Sequence, residues 1–348
     1  MYKPVYLITN SILVSISKIE AAEEVIKNAP LLPLWEKQFK DDAVLRAVYH
    51  GTHLEGNPLS KDEAEDVLTG KQVVARSRDI QEIINYRNVL DFVDQEAKKG
   101  IKRITEQIIK KIHRILVDKT LPVEQSGEYR DKQVVVRDIQ TGEVVFKPPA
   151  ALEVPYLMRE FVYWLNYTDP NSIHPVIKAG ISHYELVRIH PFFDGNGRTA
   201  RVLATLILFL GGYDIRRFFS LEEYYDRDAV SYYESLRKAQ AGDLTPWLEY
   251  FCYGASVEFQ RIKNKVLKLS KDVKLKSKFG GKQLFLNERQ IKIMEHIQDV
   301  GFLQNKMFAS LFPDLSEDTV LREVKDLIDK GVLKKIGRTK SARYVLND

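Results

Sequence analysis

Residues 190–201, His190-Pro191-Phe192-Phe193-Asp194-Gly195-Asn196-Gly197-Arg198-Thr199-Ala200-Arg201, leave this chain few options. They set an imidazole, a carboxylate, a glycine-flanked turn and two guanidiniums side by side. Pro175 to Ile189 reads as a helix, because Val176, Ile177, Ile181, Val187 and Ile189 recur at helical spacing. His190 then projects from its end into a loop. Asp194 to Gly197 is turn chemistry, since Gly and Asn tolerate positive φ. A second apolar helix is expected from Arg198, through Val202, Leu203, Leu206, Ile207 and Leu210, to a stop at Gly211-Gly212. A glycine-rich loop that opens a helix offers unpaired backbone N–H groups to an anion.

The side chains suit the same ligand. An imidazole with an ordinary pKa of about 6.5 is mostly neutral at pH 7, so His190 reads as a general base. Asp194 is a hard oxygen ligand suited to Mg²⁺ carried by a nucleotide. Arg198 and Arg201 share a helix face, and their planar forks match phosphate oxygens. Phe192 reads as a core anchor for the loop.

This stretch resembles the signature of the Fic family (the Fic/Doc superfamily), H-x-F-x-[DE]-G-N-G-R-x-x-R, at every fixed position from His190 to Arg201. The resemblance implies a mostly α fold: a Fic-type helical bundle with a β-hairpin flap. It implies transfer of AMP from ATP to a hydroxyl side chain (Tyr, Thr or Ser) of a target protein. The implied roles are His190 as base and Asp194 as Mg²⁺ ligand. Gly195, Asn196 and Gly197 would form the anion hole around the α- and β-phosphates. Arg198 would grip the β-phosphate and Arg201 the γ-phosphate. The phosphorylating Doc branch usually has Lys where this chain has Gly197, which favours nucleotidyl transfer.

Asp41 to Leu54 is expected to form a helix stopped by Gly56-Asn57-Pro58, with Glu55 in its last turn. The helix dipole disfavours a carboxylate there, which suggests a partner for Glu55, with a solvated helix-end residue as the alternative. Leu54-Glu55-Gly56-Asn57 is similar to the inhibitory helix of many Fic proteins, [ST]-x-x-x-E-[GN], whose Glu pairs with the second arginine of the signature. The resemblance therefore implies that Glu55 pairs with Arg201 and stops the γ-phosphate from seating. The hydroxyl position falls on Gly51, with Thr52 beside it. Glu55 orienting water to remove AMP is the alternative enzymatic reading. A nucleotide-sensing, DNA-binding regulator is the non-enzymatic one.

Val134 to Val136, Asp138 to Gly142 and Val144 to Phe146 read as strand, turn and strand, ended by Pro148-Pro149. In Fic proteins a flap at this place pairs with the target by strand addition, which points to Val136 and Arg137. Tyr232 and Tyr233 are the adenine-side candidates, with helix-core packing as the alternative. Asp243 to Leu248 reads as loop, cap and helix start with Pro246 at the first turn. The resemblance covers roughly residues 40–255.

Four regions are expected: an N-terminal helical region (1–110) holding the inhibitory helix (about 41–56), the catalytic core (111–255), a basic, solvated helix and linker (256–284), and a C-terminal module (285–348). The linker runs through Gly280-Gly281. From Arg261 onward there are 20 Lys and Arg against 11 Asp and Glu, whereas the first 260 residues are net acidic. In the last region, helices from Asn287 to Val300, Leu303 to Phe312 and Ser316 to Lys330 precede two strands, 332–336 and 342–346. This order resembles a small winged helix–turn–helix domain with Arg338 and Lys340 on a basic tip. Arg338 and Lys340 suit phosphates, yet Glu317, Asp318, Glu323, Asp326 and Asp329 crowd the third helix. DNA binding and protein contact both remain open.

A single cysteine, Cys252, excludes an intrachain disulfide and fits a cytoplasmic setting. No signal-peptide pattern opens the sequence, and no apolar run approaches the length of a membrane span. Self-AMPylation and a homodimer are further expectations.

Overall fold

The computed structural model describes residues 2–29, 33–137, 142–168, 172–213, 218–278, 286–313, 315–337 and 342–347. Contacts divide the chain into two compact units, 1–267 and 268–348. The first holds ten helices among its described residues: α1 (Asn10–Asn28), α2 (Pro33–His53), α3 (Lys61–Leu68), α4 (Ser77–Lys98), α5 (Glu106–Leu116), α6 (Val154–Tyr167), α7 (Pro175–Ile189), α8 (Asn196–Leu210), α9 (Glu222–Arg227) and α10 (Ala229–Ala239). The eleventh, α11 (Thr245–Lys278), spans the division.

α7 and α8 make the most extensive helix pair. α7 occupies the span its apolar periodicity predicts. His174 caps its start by accepting from the Val176 N–H at 3.2 Å, and Pro175 takes the first turn, where its missing N–H costs nothing. Ile181, Leu186 and Ile189 of α7 and Val202, Leu203 and Leu206 of α8 are all buried, and the two helices pack against each other.

Several boundaries differ from expectation. α2 begins at Pro33 rather than Asp41, because Phe39, Ala43 and Ala47 extend its buried stripe and Phe39 packs on Phe218 with ring centroids 4.9 Å apart. It ends at His53, so Glu55 lies just past the helix and not in its last turn. α8 begins at Asn196, two residues before Arg198, because Gly195 caps it and takes the Thr199 N–H at 2.9 Å. No separate helix begins near 256. α11 runs unbroken from Thr245, and it is not simply solvated: Phe259, Ile262 and Val266 are buried.

The hairpin consists of β1 (Val136–Arg137) and β2 (Val144–Phe146), antiparallel with a register irregularity. Val134 and Val135 stay outside the ladder, where the Gln133 side chain instead donates to the carbonyls of Val134 and Pro148. The expected turn residues 138–141 lie outside the described residues.

The second unit contains α12 (Glu288–Val300), α13 (Phe308–Leu311), α14 (Glu317–Asp329), β3 (Leu333–Ile336) and β4 (Arg343–Leu346). The expected second helix is a 3₁₀ turn, Asn305–Met307, running into the four-residue α13. Ser316 caps α14 as expected, and β3 pairs antiparallel with β4. Ile293, Ile297, Phe308, Val324, Leu327 and Leu333 form its core. Glu323 and Asp326 are not free acids on α14: both accept from Gln290 of α12, at 3.0 and 2.5 Å. Arg338, Lys340 and Gly280-Gly281 lie outside the described residues.

Candidate active site

α7 ends in a sharp reversal at His190. Its backbone is left-handed (φ 52°), a conformation only Lys119 shares among described non-glycine residues. The turn is over-determined, as a strained position must be. The His190 N–H donates to the Leu186 carbonyl at 2.9 Å, and its own carbonyl accepts from Arg130 Nε at 2.8 Å. Arg130 also donates through Nη2 to the Pro149 carbonyl at 2.6 Å, tying the loop to the base of the hairpin. His190 Nδ1 lies 3.3 Å from the Val187 carbonyl. A proton donated there leaves the lone pair on Nε2. Burial, aided by the Arg130 charge, pushes the imidazole down to about 4, so it is neutral at pH 7.

The loop itself is held by two amide–backbone bonds and a stacked ring. The Asn196 side chain accepts from the Phe192 N–H and donates to the Phe192 carbonyl, both at 2.9 Å. That amide therefore shapes the loop, and what Asn196 can offer an anion is its backbone N–H in the first turn of α8. His113 of α5 lies flat on Phe192, with ring centroids 3.8 Å apart and planes within 4°. Its Nδ1 accepts from the Gly127 N–H at 2.9 Å, which places its proton on Nε2, 3.0 Å from the Asp194 carbonyl. Burial pushes this imidazole down to about 4 as well. Sequence reasoning missed His113. The available signal was a lone histidine on the apolar face formed by Ile109, Ile112 and Leu116.

Both guanidiniums of the motif are buried. Arg201 Nη2 donates to the Gly51 carbonyl at 2.9 Å and to Glu55 Oε1 at 2.8 Å. Arg198 Nη1 lies 3.4 Å from Glu82 Oε1, and Nη2 lies 3.5 Å from Asp194 Oδ1. Among the described residues, Nε of each arginine is buried without a hydrogen-bond partner. Two buried donors without acceptors beside a helix N-terminus suit a polyanion. Asp194 Oδ1 accepts from the Gly195 N–H at 2.6 Å, and Oδ2 is 3.3 Å from Arg78 Nη2. No cluster of three potential metal-ligating side chains exists among the described residues. A single hard carboxylate fits a cation that arrives with phosphates rather than one caged by protein alone.

Glu55 is presented by a tight turn. Its N–H and that of Asn57 both donate to the Thr52 carbonyl, at 3.0 and 3.2 Å. The Thr52 hydroxyl is engaged by the Val48 and Tyr49 carbonyls and does not reach Arg201. Gly51 is required by close approach: a Cβ there would sit 2.4 Å from the Tyr86 ring. A Cβ at Gly197 would lie 2.5 Å from Glu55 Oε1, the movable end of a flexible side chain. On the outer side of the turn, His50 Nδ1 and His53 Nδ1 both bond Asp226, at 2.7 and 2.8 Å.

Of the two tyrosines, Tyr232 is core: it is 1 % exposed and its hydroxyl is 3.2 Å from His183 Nε2. Tyr233 is 41 % exposed and donates to the Leu54 carbonyl at 3.3 Å, beside Glu55. Arg137 at the end of β1 is exposed and donates to the Gly142 carbonyl at 2.8 Å; Val136 is half-buried.

Residues 103–208 match the Fic/DOC family. The chain belongs to that family. Over 239 residues it is 32% identical to the protein adenylyltransferase Fic of Nematostella vectensis, covering 68% of this chain and 52% of that protein. The protein adenylyltransferase Fic of Drosophila grimshawi is 32% identical over 219 residues, 62% of this chain and 42% of its own length. The chain thus spans about half or less of these relatives. A Fic domain-containing signaling protein from Bacteroides thetaiotaomicron has a similar structure (TM-score 0.61, 27% identity), covering 76% of this chain and 97% of that one. A Fic family protein from Desulfovibrio desulfuricans shares the fold along nearly the whole length (TM-score 0.66, 22% identity, 99% of this chain and 98% of the other). No helix among the described residues is long and apolar enough to cross a membrane.

Proposed function

We propose that the protein transfers AMP from ATP to a hydroxyl side chain of a target protein and is held off by Glu55. The observation that carries this reading is the convergence, on one loop, of a neutral imidazole, a helix N-terminus and two buried guanidiniums. His190 Nε2 takes the proton from the target hydroxyl. The hydroxyl oxygen forms a bond to the α-phosphorus, the bond to the β-phosphate oxygen breaks, and pyrophosphate leaves. The first N–H groups of α8 hold the phosphate oxygens, Arg198 holds the β-phosphate and Arg201 the γ-phosphate. Asp194 would hold a Mg²⁺ brought with the nucleotide, which would offset charge on the phosphates when bound. Gln133, Val136 and Arg137 lie at the hairpin, whose edge suits an added target strand.

Relatives named protein adenylyltransferase support this reading, as does the Glu55–Arg201 contact, which occupies the γ-phosphate arginine. Self-modification is expected once Glu55 is removed. The test is incubation with labelled ATP and Mg²⁺. Glu55→Gly should incorporate AMP and Glu55→Gly/His190→Ala should not; equal labelling of the two would overturn the base assignment. For the second unit, protein contact is the favoured role. Arg289 lies 3.7 Å from Glu323 and Lys330 pairs with Asp326, which offsets part of the acidity that argues against DNA, and a gel shift at low salt decides it.

A further inference from the structure

We propose that Glu82 of α4 is the positioning residue for Arg198, and that Asn57 joins it to the turn that carries Glu55. Glu82 is 8 % exposed. Its Oε1 lies 3.4 Å from Arg198 Nη1 and accepts from Arg78 Nε at 3.2 Å. Its Oε2 accepts from Asn57 Nδ2 at 3.0 Å. The same Asn57 amide donates to the Asp79 carbonyl at 3.0 Å, and Asn57 Oδ1 takes the Leu59 N–H at 3.2 Å. The asparagine is thus locked, and with it the chain two residues beyond Glu55. Arg78 completes a ring of alternating charges: Arg78, Glu82, Arg198 and Asp194, with Arg78 Nη2 3.3 Å from Asp194 Oδ2 and Arg198 Nη2 3.5 Å from Asp194 Oδ1.

A buried guanidinium with one carboxylate against Nη1 and none at Nε has its fork fixed while a donor remains for an incoming ligand. Without Glu82, Arg198 would keep only the half-exposed Asp194 as counter-charge, and Asp194 is the residue a nucleotide-borne cation would claim. Glu82 then keeps Arg198 in place when the ring opens. The consequence is a two-armed turn: Glu55 reaches Arg201 directly, and Asn57 reaches Arg198 through Glu82.

This inference rests on the nucleotide reading above, and nucleotide binding tests both separately. In the full chain carrying Glu55→Gly, affinities for AMP, ADP and ATP are measured calorimetrically with Mg²⁺. Arg198→Ala should weaken ADP and ATP while sparing AMP, which has no β-phosphate; failure of that arm sinks the nucleotide reading itself, and the inference with it. Glu82→Gln should reproduce the pattern, weakening ADP and ATP by about tenfold with AMP unchanged. Glu82→Asp, which keeps the charge but withdraws it, should give a smaller loss of the same kind and covers the case in which Glu82→Gln fails to fold. Added to Arg198→Ala, either Glu82 change should have little further effect on ADP. If the Glu82 variants weaken AMP and ADP alike, or weaken neither, Glu82 does not position Arg198.

Discussion

Glu55 and Arg201 are joined by a 2.8 Å charge-assisted hydrogen bond across 146 residues of chain. The pair spans α2's end and α8, and it places a carboxylate against the guanidinium assigned to the γ-phosphate. Breaking it should release activity without dismantling the site. Arg201 keeps the Gly51 carbonyl at 2.9 Å, so its fork stays aimed when Glu55 is gone. Glu55→Gly is therefore expected to raise AMP incorporation by at least about tenfold, the effect of roughly 1.4 kcal/mol on productive binding. Intact-protein mass spectrometry with Mg²⁺ and ATP reads the gain directly. Equal rates in wild type and variant would remove the inhibitory role.

His190, the proposed base, is expected to be neutral far into the acid range. Burial lowers His190 to about 4, and His113 behind the loop likewise. NMR titration should show both rings changing charge near pH 4 rather than near 6.5, with signals assigned by loss in His190→Asn and His113→Gln. The unfolded chain binds these protons at about pH 6.5 and the folded chain only near 4. Unfolding therefore takes up protons between those values, and stability must fall as pH drops through that window. Denaturant melts should show a smaller decline between pH 7 and 5 for His190→Asn than for wild type. Identical slopes would contradict the depressed value.

How far the sequence revealed these features depended on whether the causes were local. The span of α7 and the loop at 190–197 were legible because periodicity, Pro175 and turn residues act within a few positions. The pairing of Glu55 with Arg201 was reached through the family pattern, since no local rule links residues 146 apart. Glu82 and Arg78 left no signal in the sequence, and His113 left only that of a lone histidine on an apolar helix face. Each is an ordinary residue on an amphipathic helix, and only tertiary packing brings α4 and α5 against the loop. The start of α2 was missed because its deciding residue, Phe39, is buried by Phe218, a partner far along the chain.

Gly197→Ala isolates the crowding at the motif. Its Cβ would lie 2.5 Å from Glu55 Oε1 and 3.2 Å from Arg201 Nη1. In the wild-type background the methyl must push Glu55 aside, loosening the pair. The same methyl enters the cradle where phosphate oxygens must approach backbone N–H groups. Activity should therefore stay low even in Glu55→Gly, with nucleotide affinity down by roughly 10-fold or more, a cost of at least 1.4 kcal/mol. Calorimetric titration with ADP checks it. Unimpaired binding in the double variant would show that the phosphates do not lie over residue 197.

Gly51 explains why this chain departs from the inhibitory pattern of its family, which places a hydroxyl residue here. A Cβ at 51 would meet the Tyr86 ring at 2.4 Å and its hydroxyl at 2.6 Å. Tyr86 is fully buried and donates to Glu222 at 3.0 Å, so the ring has nowhere to retreat. Gly51→Ser should therefore destabilise the protein by about 1–3 kcal/mol, the usual range for overpacking a core. It should loosen rather than tighten the hold on Arg201, because α2 must shift and carries the Gly51 carbonyl with it. Replacing Tyr86 with a smaller apolar residue such as Leu should recover part of that loss, giving non-additive melting shifts in a double-mutant cycle. Additive losses, or a Gly51→Ser variant as stable as wild type, would show that the ring contact does not exclude a side chain at position 51.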